Sequence, residues 1–272
     1  MNSRSRPSFP ARLDRPAAAD PRTVRAVPAA VAAGAPPSGV QRLARPAPTP
    51  QGLGLDSQAV RLAMVQKLAA QGITDLRVLD AMGRIERHRF VDTALATQAY
   101  EDTSLPIGLG QTISKPGVVA RMAELLLARH DPRRGERLGR VLEIGTGCGY
   151  QAAVLSLLVK EVYSIERLRG LHEKARENLR PLRLPNVHML FGDGMIGFAQ
   201  GAPYAGIIAA AGGEAVPQAW IEQLAVGGRL VAPVAAMAGG AQALMVIDKT
   251  AAGVQRTLLE AVHFVPLKSG IA

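Results

Sequence analysis

From about residue 140 the sequence alternates short apolar strand-like runs with helical ones, a rhythm that leaves few folds open. "RVLEI" reads as a buried strand, "YQAAVLSLLV" as a helix, "EVYSIE" as a strand, "LRGLHEKARENLRPL" as an amphipathic helix and "VHMLFGD" as a strand. "YAGIIAAA", "VPQAWIEQL" and "GGRLVAPVAA" continue the series as strand, helix and strand. Buried strands separated by helices build a mostly parallel sheet covered on both faces, a doubly wound α/β fold whose ligands sit at the carboxyl ends of the strands. Near the end the rhythm changes. "AQALMVID" and "VQRTLLEAVHFVPL" flank a "TAAG" turn with no helix between them, so an antiparallel pair should close the sheet.

The first 55 residues are of another kind. Eight arginines, no lysine and two aspartates give +6 there, in a background of Ala and Pro with no periodic apolar face. Such a segment buries too little to offset the entropy of ordering, and residues 1–55 are expected to be a disordered tail ahead of a folded domain at 56–272. An arginine-rich, acid-poor leader also suits targeting or weak nucleic-acid contact, but prolines interrupt its only candidate apolar run, "AVPAAVAAGAP". The other residues hold twenty-four basic against twenty acidic side chains, an ordinary solvated surface, so the formal charge of +10 does not imply a nucleic-acid partner. With 48% hydrophobic residues, the chain has ample material for a core. The one cysteine, Cys148, has no disulfide partner and makes a cysteine-rich metal site impossible, in keeping with a reducing, cytoplasmic setting and no metal. No segment has the roughly 18 uninterrupted apolar residues of a membrane span.

Two small helices precede the main domain. In "DSQAVRLAMVQKLAAQG", Val60, Ala63, Met64 and Leu68 form a stripe, with Asp56 or Ser57 as cap and Gly72 as terminator. "TDLRVLDAMGRI" repeats Leu76, Leu79 and Met82, starting from Thr74 or Asp75. A third helix, "SKPGVVARMAELLLARH", follows a polar, turn-rich stretch, "LPIGLGQTISKP". This places Ser114 at or near a helix N-terminus, where it either caps the helix or, with the free backbone amides, receives an anion.

The glycine loop "VLEIGTGCGYQ" follows the first strand of the series, with Gly145, Gly147 and Gly149 spaced G-x-G-x-G. Such a repeat alone can serve only turn geometry. Three acids surround it. Glu143 stands at the strand end, where it can meet an ammonium group. Glu166 ends the second strand, where a carboxylate can accept from both hydroxyls of a ribose, and Asp193 in "FGDG" follows the third, within reach of an adenine. Each could instead be a cap or a surface residue. Together they suit a cationic adenosine cofactor better than a pyrophosphate.

With "VYSIER", "GDG", "VPQAWIEQLAVGGRLVAPV" and the closing "VHFVPL" added to "LPIGLGQTISKP" and the glycine loop, the sequence resembles the protein-L-isoaspartate O-methyltransferase family, collinearly over roughly residues 57 to 270. The glycine loop alone would fit any class I methyltransferase; "GQTISKP" is particular to this family. The resemblance implies a seven-stranded doubly wound sheet, S-adenosylmethionine as methyl donor, and isoaspartyl residues of damaged proteins and peptides as acceptors. It makes Ser114 the active-site serine. Cofactor contacts fall on Thr112, Ile113, Glu143, Gly145, Thr146, Gly147, Cys148, Gly149, Glu166, Arg167, Leu168, Asp193 and Gly194. Val265, Pro266 and Leu267 would line the peptide groove. One departure stands out: "PYAGII" replaces the family's usual Pro-Tyr/Phe-Asp-Ala-Ile, so Ala205 and Gly206 stand for Asp-Ala, which bears on strand support or loop order more than on cofactor identity.

The chemistry asks little of the protein's acids and bases. A carboxylate with a pKa of about 4 is already anionic at neutral pH and needs no general base to accept a methyl group. In-line displacement on a sulfonium then neutralises two charges, aided by exclusion of water and close alignment. The methyl ester formed carries a good leaving group, lost as methanol when the next backbone nitrogen closes a succinimide, and water reopens the ring partly to aspartate without help from the enzyme. Two other readings stay open at this point: a class I methyltransferase acting on another carboxylate or a small molecule, and a noncatalytic binding protein using its basic tail on nucleic acid. A monomer is expected, with no membrane partner.

Overall fold

The computed structural model describes residues 58–130, 137–235 and 241–272. The expected tail, and the Asp56 or Ser57 cap, lie outside the described residues. The first two helices are α1 (Gln58–Ala70) and α2 (Leu76–Arg84). Gly72, at φ +101°, ends α1, and Asp75 caps α2 by accepting from the Arg77 amide. Both expected stripes are partly out of phase. Ala63 is exposed, and Val65 shares the inward face with Met64 and Leu68. Leu76 is 77% exposed, because α2 turns Val78, Ala81 and Met82 inward. In helices of two to four turns, apolar residues three apart fit more than one phase, and packing chooses between them.

A hairpin of β1 (Leu105–Gly108) and β2 (Gln111–Ile113) leads into α3 (Pro116–Leu127). The main alternation follows: β3 (Leu138–Ile144), α4 (Tyr150–Leu158), β4 (Val159–Glu166), α5 (Arg169–Leu179), β5 (Val187–Phe191), β6 (Tyr204–Ala209), α6 (Gln218–Gln223) and β7 (Leu224–Ala235). Strands β8 (Gln242–Thr250) and β9 (Gly253–Val262) complete a seven-stranded sheet of order β5-β4-β3-β6-β7-β8-β9. The pairs from β5 to β7 are parallel; β8 runs antiparallel to both β7 and β9. Neighbouring residues of β3 supply opposite cores, Val141 to the face that carries α1 to α5 and Leu142 to the face that carries α6 and Trp220, each 0% exposed. Such two-sided burial is why "RVLEI" and "YAGIIA" read as continuous apolar runs.

Strand order reverses between β3 and β6, and the carboxyl ends of β3 and β4 open beside that switch point. The Ala205–Gly206 departure lies on β6. A Cβ on Gly206 would come within 2.9 Å of Leu126 Cδ1, so the missing side chain lets α3 settle against the sheet.

Candidate active site

The site is built where β3 and β4 end. After Ile144 the chain turns through Gly145 (φ +86°), Gly147 (φ +58°) and Gly149 (φ +91°), conformations that favour glycine. The Gly145 and Thr146 amides both donate to Ile165 O, at 2.9 and 3.3 Å, which ties the loop to β4. Glu166 completes the tie. Its Oε2 accepts from the Gly147 amide and its Oε1 from the Leu168 amide, each at 2.9 Å. Each oxygen keeps a further lone pair, so a fixed, 5% exposed carboxylate stands in the cavity wall, ready to accept from hydroxyls.

That cavity is also lined by Thr112, Ile113, Ser114, Gly145, Thr146, Gly147, Cys148, Arg167, Leu168, Gly194, Val265, Pro266 and Leu267. The hairpin folds over it. Gly108, Leu109 and Gly110 all have positive φ (+99°, +52° and +68°), and the Lys174 ammonium donates to Ile107 O at 2.8 Å. Gln111 of the polar run "GQTIS" lines the cavity, as do Ile107, Leu109, Tyr150, Gln151 and Lys268, which the sequence does not mark as binding residues. The "GLG" in "LPIGLGQ" was the available signal for the hairpin, since consecutive left-handed residues make a tight turn.

Three of the expected cofactor residues are placed otherwise. Gly149 is turned away from the cavity, and a Cβ there would meet Leu179 at 3.1 Å, so its lack of a side chain serves helix packing. Asp193 is committed elsewhere: Oδ1 accepts from the Met195 amide at 2.8 Å and Oδ2 from the Gly270 amide at 2.6 Å. The segment holding Gly270 is itself clasped to the end of β4, where Arg167 O accepts from the Ala272 amide and the Arg169 amide donates to Ala272 O. Glu143 is 0% exposed and lies outside the cavity lining. Its Oε2 accepts from Ser164 Oγ, which also bonds Thr146 Oγ1 at 2.6 Å. Its Oε1 has no hydrogen-bond partner, nor has Nε2 of the nearby, cavity-lining Gln151. Burial pushes the Glu143 carboxyl up to about 8 against the pull of Ser164 and Gln151, with nearby Glu166 adding to the rise. Burial likewise pushes the Cys148 thiol up to about 11, so it lines the cavity as a neutral group.

Ser114 does not cap α3. The cap position is Lys115, and the helix's early Gly117 amide donates instead to Asp102 Oδ1 at 2.7 Å. Asp102 is a functional candidate that the sequence reading missed, fifteen residues ahead of the amide it holds. Ser114 is left half-buried at the junction of two hollows. The second hollow is a groove along α3 and the end of β9, with Asp102, Lys115, Arg121, Glu260 and His263 on its walls. Thr112, Ser114, Val265 and Pro266 line both. Val265 and Leu267 are pinned through Gly212, whose amide donates to Val265 O at 2.9 Å and whose carbonyl accepts from Leu267 N at 2.8 Å. A Cβ on Gly212 would meet Gln242 Nε2 at 2.5 Å and displace the side chain whose Oε1 accepts from the Phe264 amide. Across the groove, Arg121 joins α3 to β9 through Glu260 at 2.7 Å.

Tests of fit favour a cationic adenosine cofactor. Two carboxyl groups, one of them with an unpartnered buried oxygen, flank a glycine cradle into which, among the described residues, no lysine or arginine side chain donates. Among the described residues no cluster of His, Cys, Asp or Glu could hold a metal ion, and no helix is long and apolar enough to cross a membrane.

Known proteins resemble the chain in sequence and in fold. A relative from Methylibium petroleiphilum, a protein-L-isoaspartate O-methyltransferase, is 63% identical over 223 residues, covering 82% of each chain. A solved protein-L-isoaspartate O-methyltransferase superposes with a TM-score of 0.68 at 27% identity, covering 78% of this chain and 67% of the other. A Plasmodium falciparum protein solved in complex with S-adenosyl-L-homocysteine shares the fold, with a TM-score of 0.65 at 23% identity over 76% of this chain and 98% of its own. The family model for protein-L-isoaspartate(D-aspartate) O-methyltransferase matches residues 59–272, and the chain belongs to that family.

Proposed function

We propose that the chain passes a methyl group from S-adenosylmethionine, held in the cavity, to the carboxylate of an L-isoaspartyl residue held in the groove, and that the two meet at Ser114. The observation that carries this reading is the junction itself: a cavity with a glycine cradle and a fixed carboxylate shares Thr112, Ser114, Val265 and Pro266 with a groove open to a polypeptide. When bound, the donor supplies a methyl group made electrophilic by a sulfonium.

The residues divide the remaining work. Glu166 accepts from the ribose hydroxyls while its backbone bonds hold it still. Gly145, Thr146 and Gly147 let the loop approach closely, and Glu143 Oε1 with Gln151 Nε2 supplies the unmatched polar pair for the amino-acid end. Thr112 forms the partition, and Val265 and Pro266 the far wall, of the acceptor site, while Ile113 and Leu267, the latter expected from the sequence in the groove, lie on the cavity side. The Ser114 hydroxyl, having no capping duty, donates to the acceptor carboxylate and orients it. The acceptor arrives anionic, so no side chain has to remove a proton. The next backbone nitrogen then displaces methanol from the ester to close a succinimide without help from the enzyme, and water opens the ring partly to aspartate. This reading takes the enzyme as a cytoplasmic monomer, with damaged proteins as partners and no role for nucleic acid.

Methyl incorporation into an isoaspartyl peptide and its aspartyl twin tests it. The isoaspartyl peptide should be methylated and the twin left nearly unlabelled; equal labelling of both would overturn the acceptor assignment.

A further inference from the structure

Arg87 takes no part in the site as described, yet it is 0% exposed and, among the described residues, forms no ion pair. Burial lowers its pKa, because a desolvated charge is disfavoured and the opposing pull of Tyr150 and of the nearby Asp102 carboxylate does not offset it. A neutral side chain of similar size would ordinarily serve a core as well or better. What the guanidinium does there is reach in two directions.

On one side its Cζ lies 4.8 Å from the ring centroid of Tyr150, the first residue of α4 after the glycine loop and part of the cofactor cavity's wall. On the other its Nε donates to Ala99 O at 2.8 Å and its Nη2 to Thr103 O at 3.4 Å. Those carbonyls bracket Asp102, which holds the Gly117 amide at the start of α3, three residues after Ser114. The connection therefore runs from the cofactor wall through Arg87 to the loop, and through Asp102 to the segment that presents the acceptor-orienting hydroxyl.

We propose that Arg87 is a positioning residue for methyl transfer, a planar cross-brace that sets the acceptor wall against the cofactor wall. The proposal rests on the methyltransferase reading above. In-line transfer depends on a narrow range of distances, and a misplacement of about 1 Å can cost roughly 100-fold in rate. A flat cation satisfies two carbonyls and an aromatic face at once, which lysine, with one point charge, cannot do.

The test compares wild type, Arg87→Met and Arg87→Lys, each well below its own melting temperature. Isoaspartyl peptide turnover should fall roughly 10- to 100-fold in Arg87→Met. The peptide KM and the calorimetric affinity for S-adenosylhomocysteine should stay within about 3-fold, and Arg87→Lys should recover part of kcat because it restores one donor. Hydrogen exchange at the Gly117 amide should speed up at least about 10-fold in Arg87→Met while the β3 and β4 amides hold. Wild-type turnover in Arg87→Met, a loss that appears in cofactor affinity instead of kcat, or unchanged Gly117 exchange would each overturn the brace. Should Arg87→Met fail to fold, Asp102→Ala cuts the same connection at its other end, and normal kcat there would overturn it equally. A wild-type enzyme that ignored the isoaspartyl peptide would instead refute the functional reading, and Gly117 exchange would still decide the brace.

Discussion

Glu143→Gln isolates the contribution of one buried carboxyl to the pH dependence of stability. In the folded protein Glu143 keeps its proton up to a pH of about 8, whereas its ordinary value is 4.5. A raised folded pKa contributes stability that is fully present below about pH 4.5 and is lost as pH rises through about 8. Within that window the unfolded chain releases the proton and the native state retains it, so stability falls by about 1.4 kcal/mol per pH unit, about 5 kcal/mol in all. Between roughly pH 5.5 and 7.5 the loss is about 3 kcal/mol, or some 6–12 °C in melting temperature for a domain of this size. Glutamine can still accept from Ser164 but carries no titrating proton, so Glu143→Gln should lack this slope and gain on the wild type toward alkaline pH. Guanidinium unfolding of both proteins across this range measures the difference, in which all other titrations cancel. Saturating S-adenosylhomocysteine should flatten the wild-type curve, because an ammonium beside the carboxyl favours its ionised form. Parallel curves for the two apoproteins would show that Glu143 is not protonated in the fold and would refute the argument from burial.

Ser114→Ala should lower isoaspartyl peptide turnover roughly 10- to 100-fold, the equivalent of about 1.5–3 kcal/mol for a hydrogen bond to a charged group. Its melting temperature should not move, since Asp102 caps α3; near-normal turnover would sink the assignment. Glu166→Ala should weaken S-adenosylhomocysteine binding in calorimetry by up to about 3 kcal/mol and cost about 1–3 kcal/mol of stability, because the Gly147 and Leu168 amides lose their acceptor. A folded variant of unchanged affinity would refute the ribose role. Deleting residues 1–54 should leave melting and peptide methylation nearly unchanged, given that the family match begins at residue 59; a large loss of either would make that segment part of the enzyme.

The sheet was legible because strands buried on both faces write themselves as apolar runs, as Val141 and Leu142 do by facing opposite cores. The glycine loop was legible because its backbone angles exclude most other residues. Grouping Thr112 to Ser114 with that loop came from the family motif and not from any periodicity. What stayed hidden depended on contacts made after folding. Asp193 looked like a free acid until Gly270, 77 residues on, took one of its oxygens. Glu143 looked available because Ser164, which holds it beneath the loop, lies on a neighbouring strand. Ser114 looked like a cap because Asp102, the residue that does the capping, is not adjacent to the helix.

The close seating of Leu126 over Gly206 means that these two positions are not free to vary separately. Restoring an alanine at 206 would drive its Cβ to 2.9 Å from Leu126 Cδ1 and 3.3 Å from Val141 Cγ2, so that the Leu126 side chain must shift or α3 move with it. Because α3 begins just past Ser114, such a move of the helix would be felt as tilt at the acceptor end and not only as lost packing. The departure from the usual Asp-Ala is thus one half of a matched pair. A chain carrying alanine at 206 would need a shorter side chain at 126, and Gly206→Ala with Leu126→Val should recover stability that Gly206→Ala alone gives up.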